Sequence, residues 1–575
     1  MPVNNSEIAE LFNKMGDLLE IEGANPFRVR AYRTAARTVG EHPGSLAEMV
    51  KEGGDLSELP GIGKDLAGKI AEIVNTGGLS QLAEVEERIS PELTTLLRLP
   101  GLGPKRVQAL HRALGIRNLA DLRAAAMAGK VRDVHGLGGK TEQTILREID
   151  LLAQRETRPT LASVEAAAES LVDALEKVEG VKEVTVAGSY RRRRETVGDL
   201  DILVTCRKDS PVMERFIGYE DAAEVVSRGG TRSTVVLRSG LQVDLRVVPQ
   251  ASYGAALHYF TGSKAHNVAV RTLGVKRGFK INEYGVFKGN RRVGGRTEAE
   301  VYELLGLRYI PPELREDRGE IEAARDGHLP DLVTPADIRG DLHAHTDATD
   351  GRDGLEAMAR AARKRGYQYL AVTDHTRRLA MAHGLDSKRI AAQMEAIDRL
   401  NAKLSGFVLL KGAEVDILED GSLDLPDELL KELDLTVCSV HSMFDLSGEK
   451  QTERILRAME NPYFTILGHP TGRLLGRREP CQLHMERIIA AARDRGCFLE
   501  VNAQPDRLDL TDIHCRAAME HGVKVAVSTD AHSAAELDLM RFGVGQARRG
   551  WLEANDVINT RGLEEVRKLL REARG

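Results

Sequence analysis

Two sets of residues in this 575-residue chain have the types and spacings that chemistry requires. The first is Asp199-Leu200-Asp201, which opens the apolar run Ile202-Leu203-Val204 and follows Gly188-Ser189-Tyr190 and four consecutive arginines, Arg191-Arg192-Arg193-Arg194. Alternate side chains of a β-strand share a face, so the two carboxylates point the same way with their Cα atoms about 7 Å apart. At about 5 Å and an effective dielectric of about 20, such charges repel by roughly 3 kcal/mol. A divalent cation or a proton relieves that repulsion. The alternating stretch Leu241-Gln242-Val243-Asp244-Leu245-Arg246 supplies a third acid. Three carboxylates on adjacent strands suit two Mg2+ ions that bridge to substrate phosphates, and the guanidinium forks upstream match phosphate oxygens. An Asp-x-Asp alone also fits a solvated strand end beside a surface basic run; the third acid and the arginines argue for a site.

The second set is richer in imidazole. It comprises His343, His345, Asp350, His375, Glu414, His441, His469, Asp530 and His532, each at or near the end of an apolar segment. A lone histidine is usually a packed or surface residue, but nine such groups at successive segment ends have no comparable structural reason. The mixture of imidazole and carboxylate suits Zn2+, Mn2+ or Fe2+ better than Mg2+. Arg473, Arg477 and Arg478 follow His469 and either guide a substrate phosphate or form a solvated run.

Elements must deliver these groups. Apolar strands alternating with amphipathic helices are expected at 340–345, 369–375, 408–417, 435–441, 464–469, 498–502 and 523–532. Seven units of this kind predict a closed or nearly closed β/α barrel with its functional residues at the C-terminal strand ends. Ahead of it, a helix over 164–178 and a strand over 184–187 deliver the Gly188-Ser189 turn in an α/β domain. Residues 1 to about 85 read as short helices. Leu59-Pro60-Gly61-Ile62-Gly63-Lys64 repeats as Leu99-Pro100-Gly101-Leu102-Gly103-Pro104-Lys105, and more weakly over 134–140. Each Gly-x-Gly leaves backbone N–H groups uncovered where a phosphate can approach; tight helix turns without a ligand are the alternative.

Composition narrows the class. The length predicts several domains. Charged residues make up 29% and apolar residues 42%, with no apolar run of membrane-spanning length and no N-terminal signal pattern, so a cytoplasmic protein without membrane contact is expected. Five cysteines without paired spacing give neither a disulfide framework nor a zinc ribbon. A net charge of −6 does not argue against local DNA-binding patches.

Gly188-Ser189 with Arg192, Gly198-Asp199-Leu200-Asp201 and Asp244 resemble the palm of a family X DNA polymerase, within the nucleotidyltransferase superfamily. The resemblance implies that Asp199, Asp201 and Asp244 hold two Mg2+ or Mn2+ ions, with Asp244 nearest the primer 3′-hydroxyl. It implies that Gly188, Ser189, Arg192 and Gly198 serve the triphosphate. Leu257-His258-Tyr259-Phe260-Thr261-Gly262-Ser263 resembles the family's thumb: Tyr259 and Phe260 would pack on the incoming sugar, Gly262 and Ser263 would line the nucleotide site, and Asn267 would reach the base. Two departures stand out, Lys264 where relatives carry an acid and Gln242 where they carry an arginine beside the third carboxylate. The Gly-x-Gly repeats resemble helix-hairpin-helix modules, implying DNA backbone contacts at Gly61, Gly63, Lys64, Gly101, Gly103 and Lys105, joined by Arg271 and Tyr284 in the thumb. Lys69 falls where beta-like members place the lysine of 5′-deoxyribose phosphate lyase; Asp65 opposes its activation, and a plain phosphate contact is the other reading.

The imidazole-rich set resembles the PHP (polymerase and histidinol phosphatase) domain, a phosphoesterase fold with up to three metal ions. All nine ligand positions are filled, with Asp350 in a slot that some members fill with histidine. The resemblance therefore implies a multidomain protein with an all-α helix-hairpin-helix front (1–85 lyase-like, 86–156 fingers), an α/β nucleotidyltransferase palm (157–250) and thumb (251–318), a linker (319–336), and a seven-stranded, TIM-like PHP barrel (337–575). It implies a repair polymerase that takes dNTPs and fills gapped or nicked DNA in base excision repair or end joining; a monomer needs no extra assumption. The barrel would act as a 3′–5′ exonuclease, a 3′-end phosphoesterase or an abasic-site endonuclease. A PHP phosphatase or nuclease whose front half only binds DNA is the rival; it leaves the three palm acids and Ser189 and Arg192 without a purpose. A repair scaffold without catalysis leaves both acidic clusters idle.

Overall fold

The Gly-x-Gly repeats fold as three hairpins of one design. A computed structural model describes residues 5–574 except 41, 43–45, 52, 91, 98, 100, 101, 135 and 153–157. In the first hairpin the Ile62 N–H donates to the Leu59 carbonyl at 3.0 Å, and the Ile62 side chain plugs the core. Gly61 is left-handed (φ +77°), and a Cβ there would meet the Thr34 methyl at 2.5 Å. The helix Lys64–Thr76 starts directly after Gly63. Leu102 and Leu137 repeat the bond, to the Leu99 and Val134 carbonyls, ahead of the helices Pro104–Leu114 and Gly139–Leu152. The third copy, weakest in sequence, is thus built like the others, with Gly136 also left-handed (φ +81°). Gly101 lies outside the described residues. One apolar core runs from Ile8 to Ile145, so both expected front domains share it.

The chain divides near residue 157 into two compact units. In the second, a palm sheet is ordered β1-β2-β5-β4-β3 from β1 (Val181–Val186), β2 (Asp199–Cys206), β3 (Ala222–Ser227), β4 (Arg232–Leu237) and β5 (Gln242–Val247). Strands β2 and β5 are parallel; the other neighbours are antiparallel. Leu200, Ile202 and Val204 turn inward to the helix Leu161–Glu176, which leaves Asp199 and Asp201 on the opposite face. The thumb joins helices Tyr253–Thr261 and Lys264–Lys276 to a ribbon of β6 (Lys280–Asn282), β7 (Gly285–Lys288) and β8 (Arg291–Gly294).

Residues 319–336 are not a loose connector. Ile321, Ala324 and Leu332 are buried in the thumb core beside Trp551, because the helix Glu320–Asp326 carries an apolar face hidden among its charges.

Seven parallel strands form the C-terminal sheet: β9 (Gly340–Asp341), β10 (Tyr369–Val372), β11 (Val408–Asp416), β12 (Leu435–Ser439), β13 (Ile466–Leu467), β14 (Phe498–Asn502) and β15 (Val525–Ser528). The ring closes past the first and last strands, where the His345 N–H donates to the Ala531 carbonyl at 2.8 Å and Asn559 bridges Val527 and Gly340. Several strands stop short of their expected ends: β9 ends at Asp341, β10 at Val372 and β15 at Ser528. No described helix is long and apolar enough to cross a membrane, and the five cysteines are free.

Candidate active sites

Register assembles the palm acids. Asp201 on β2 is paired with Asp244 on the parallel β5, so both carboxylates leave one face of the sheet, with Asp199 two residues before. Burial and the charges of Asp199 and Asp244 push the Asp201 carboxyl up to about 6. Asp199 is raised by burial and by Asp244. Asp244 goes the other way: burial would raise it, but donors from Thr234 (2.7 Å), Arg232 (3.0 Å) and Gln242 (3.0 Å) hold it below the usual carboxylate range. Gln242 therefore keeps a contact to Asp244 despite replacing an arginine, and the guanidinium comes from Arg232 on β4 instead. Among the described residues neither the Asp199 nor the Asp201 carboxylate accepts a hydrogen bond or forms an ion pair, although the Asp201 carbonyl accepts from the Ala187 N–H at 2.7 Å. A mutually repelling pair without partners beside a third acid is a donor set that fits divalent cations.

Of the residues expected at the nucleotide, Gly188 lies beside these acids. A Cβ on Gly188 would stand 3.1 Å from Asp201 Oδ2, and one on Gly262 would stand 3.1 Å from Arg192 Nη1. One on Gly198 would meet the Arg158 guanidinium at 2.9 Å. Ser189 lies in the short helical turn Gly188–Arg191, and Ser263 caps the helix that Lys264 begins. Phe260 is brought in by Arg246, whose guanidinium lies 4.4 Å from its ring centroid, and Tyr259 packs edge-on against Phe260. Asn267 donates to the Tyr259 carbonyl at 2.7 Å while its Oδ1 has no partner. Arg271 and Tyr284 are exposed, with no contact to the acids.

The arginine run does not face substrate as a block. Arg191 pairs with Glu298 of the thumb at 2.6 Å, Arg192 with Glu316 at 3.1 Å, and Arg193 with Glu165 at 3.4 Å. Arg191 and Arg192 thus tie the palm to the thumb, and Arg193 holds the run to the palm helix Leu161–Glu176. Arg473 is likewise neither a DNA guide nor a solvated residue: it is buried against Glu195 of the palm at 2.6 Å. Arg478 lies 3.9 Å from the Phe444 ring centroid, and Arg477 is exposed.

The barrel brings all nine predicted groups to one end. Three sets have ligand atoms within 4.8 Å of one another: His345, Asp350, His375 and His532; His343, His345 and Asp530; and His375, Glu414 and His441. His469 joins them through Glu414 at 2.9 Å. Against burial, which lowers it, Glu414 and Asp350 raise His375 to about 10. Glu414 and Asp416 raise His441 to about 9, and Asp350 and Asp530 raise His532 to about 9. His345, enclosed among histidines, falls to about 4 through burial and the charge of His375. The buried Nδ1 atoms of His345 and His469 have no hydrogen-bond partner. Orphaned imidazole nitrogens among carboxylates fit metal ions.

A layer behind the ligands went unread in the sequence. Glu500 on β14 accepts from His343 Nδ1 at 2.7 Å and from the His469 N–H at 2.6 Å, leaving His343 Nε2 to face the cluster. Asp416 meets His441 Nδ1 at 3.1 Å. The one local signal for Glu500 is an acid between Leu499 and Val501, in a strand whose only other polar residue is Asn502.

In the first unit Gly63, Lys64, Gly103 and Lys105 are exposed at their hairpins. Lys69 pairs with Asp65 and lies 5.2 Å from the Tyr32 ring centroid. Burial lowers its proton affinity, but Asp65 and Tyr32 outweigh it and raise the ammonium above its ordinary value.

Five family models match successive segments of this chain. Residues 3–79 match the helix-hairpin-helix domain, 93–150 the SAM-like helix-hairpin-helix tandem, 161–228 the DNA polymerase beta palm, 256–316 the DNA polymerase beta thumb and 341–504 the PHP domain. The chain is 32% identical over 236 residues to a probable phosphatase of Thermoanaerobacter sp. (strain X514), covering 39% of this chain and 87% of that protein. It is 27% identical over 355 residues to DNA polymerase lambda of Arabidopsis thaliana, 55% of this chain and 62% of the relative. Over 573 residues, 99% of this chain and 100% of the relative, it is 36% identical to the DNA polymerase/3′-5′ exonuclease PolX of Bacillus subtilis (strain 168). A match of that identity from end to end means that this chain belongs to the PolX family, with a polymerase beta-like core and a C-terminal PHP domain.

Proposed function

We propose that this protein is a DNA-directed DNA polymerase that fills short gaps in DNA repair and whose barrel is a 3′–5′ exonuclease. The observation that carries the reading is the register of Asp201 with Asp244 beside Asp199 and the Gly188-Ser189 turn. Asp199, Asp201 and Asp244 would hold Mg2+ or Mn2+; the nine barrel residues would hold up to three Zn2+, Mn2+ or Fe2+ ions. When bound, divalent ions supply the charge that favours in-line attack of a 3′-hydroxyl on a dNTP α-phosphate in the palm, and of water on a phosphoester in the barrel.

The chain's own residues do the rest. Asp244 orients the 3′-hydroxyl, with its carboxylate fixed by Thr234 and Gln242. Ser189 and Arg192 hold the triphosphate, and Lys264 adds a cation at the start of its helix. Tyr259 and Phe260 pack on the sugar, and Asn267 reaches the base edge. Lys64 and Lys105 grip phosphates of gapped or nicked DNA, with Arg271 and Tyr284 on the thumb. Lys69 acts as a phosphate contact: a Schiff-base nucleophile needs a lowered proton affinity, and its pairing with Asp65 raises it. The protein works as a monomer in the cytoplasm.

The test supplies one-nucleotide-gapped DNA, dNTPs and Mg2+ or Mn2+. Asp201→Ala should abolish extension while 3′-end hydrolysis persists, and His345→Ala should do the reverse. Extension surviving Asp201→Ala sinks the palm assignment. The similarity to a probable phosphatase favours a second substrate for the barrel, a 3′-terminal phosphate; release of inorganic phosphate from such ends, lost in His345→Ala, separates it from nucleotide removal.

A further inference from the structure

The geometry points to Arg549, a residue of the barrel, as a positioning residue for the polymerase reaction. This rests on the reading of Arg192 as a triphosphate contact. Arg549 ends the helix Met540–Arg549, and its side chain is 1% exposed. Its Nη1 donates to the backbone carbonyl of Arg192 at 2.8 Å and to Glu316 Oε1 at 3.1 Å. The same Glu316 oxygen accepts from Arg192 Nε at 3.1 Å. Arg549 therefore holds Arg192 twice, once by its main chain and once through the carboxylate that orients its guanidinium. Nη2 of Arg549 is anchored on Asp512 of the barrel at 2.6 Å, so the clamp is referenced to the barrel and not to the palm.

The consequence for Arg192 is specific. Its Nε is spent on Glu316 and its Nη1 on the Thr261 carbonyl, next to the Gly262-Ser263 turn. Its Nη2 makes no protein hydrogen bond among the described residues and is the donor left for a phosphate oxygen. A guanidinium held at two of its three nitrogens is aimed before substrate arrives. The surroundings also suit a polyanion: the guanidiniums of Arg192, Arg194, Arg318 and Arg549 gather round two carboxylates, Glu316 and Asp512, which leaves positive charge in excess.

Apolar packing makes the barrel a fixed support. Leu508 and Phe542 of the barrel are buried in the palm core, and Arg473 of the barrel pairs with Glu195, which follows the arginine run. The barrel that hydrolyses 3′ ends thus sets the aim of the nucleotide-binding arginine in the polymerase.

Steady-state extension on gapped DNA by the full-length protein tests this. Arg549→Gln should raise KM for dNTP about tenfold with kcat little changed, the loss expected for one charge-assisted hydrogen bond. Hydrolysis of 3′ ends by the barrel should keep its wild-type rate. Arg192→Ala should raise KM at least as far, and the double variant should go no further than Arg192→Ala alone. If Arg549→Gln melts early, Glu316→Gln, which keeps the shape and one acceptor, carries the same expectation. A wild-type KM in the folded Arg549 or Glu316 variant, with KM raised in Arg192→Ala, overturns the positioning role. A wild-type KM in Arg192→Ala instead overturns the nucleotide-site reading beneath it.

Discussion

The palm acids and the barrel cluster hold their charge in opposite ways. In the palm, Asp199 and Asp201 face each other's field without a cation, and only Asp244 is satisfied, by Arg232, Thr234 and Gln242. In the barrel, each carboxylate has imidazoles against it: Glu414 touches His375 and His469 at 2.9 Å, and Asp530 touches His345 at 3.0 Å. The Asp199 and Asp201 carboxylates stay unpaired until metal arrives. The barrel site is neutralised by its own protons, which metal ions must displace. A synthetic centre assembled by its substrates and a hydrolytic centre built in advance are the physical content of that difference.

The largest way to break the comparison is to loosen the barrel's support. Glu500→Gln removes the carboxylate behind His343 but keeps its shape. Barrel metal affinity should fall by about 10–100-fold, the range for losing such a supporting partner, as measured by competition with a chelator. Palm extension should be unchanged. Unaltered metal retention would mean that the barrel, like the palm, depends on direct ligands alone.

How far the sequence could take this follows from range. The Asp199/Asp201 pair and the histidines are written as local spacings, and strand geometry converts such spacing into a shared face without help from the rest of the fold. Glu500 carries no such signal, because its partner His343 is 157 residues away. The arginine run was legible as charge and not as destination: Arg192 meets Glu316 across 124 residues and Arg473 meets Glu195 across 278. Residues 319–336 look like a linker because prolines, acids and arginines outnumber Ile321, Ala324 and Leu332, whose burial depends on Trp551 far downstream.

Acidity offers a second, smaller test. In metal-free protein His375, His441 and His532 have folded pKa values of about 10, 9 and 9 against an ordinary 6.5. Their stabilisation is fully present below 6.5 and is lost as pH rises through 9 to 10. Asp201, at about 6 against 3.8, already disfavours the folded state once pH passes 6. The melting temperature of chelated protein should therefore drop by several degrees between pH 7 and pH 10, a drop that His375→Gln reduces and Asp201→Asn leaves in place. Metal-loaded protein should show little of it, since the ions have replaced the protons. A flat profile for chelated protein would mean that the barrel is not held by protonated imidazoles.

The smallest expected effect bears on the one palm acid that is satisfied. Arg232 donates to Asp244 Oδ1 from Nη2 at 3.0 Å and Nε at 3.3 Å, yet its side chain is 55% exposed. An exposed guanidinium on a carboxylate is screened by solvent and contributes little to stability, but it occupies the oxygen that a cation would need. Arg232→Gln should leave folding intact and strengthen binding of Mn2+ to the DNA-free protein a few-fold, read by titration without nucleotide. Barrel sites saturated beforehand with Zn2+ keep the signal in the palm. Weaker Mn2+ binding would show that Arg232 holds Asp244 in place for the metal rather than in its place, and the contrast between a substrate-assembled palm and a prebuilt barrel would then narrow to Asp199 and Asp201.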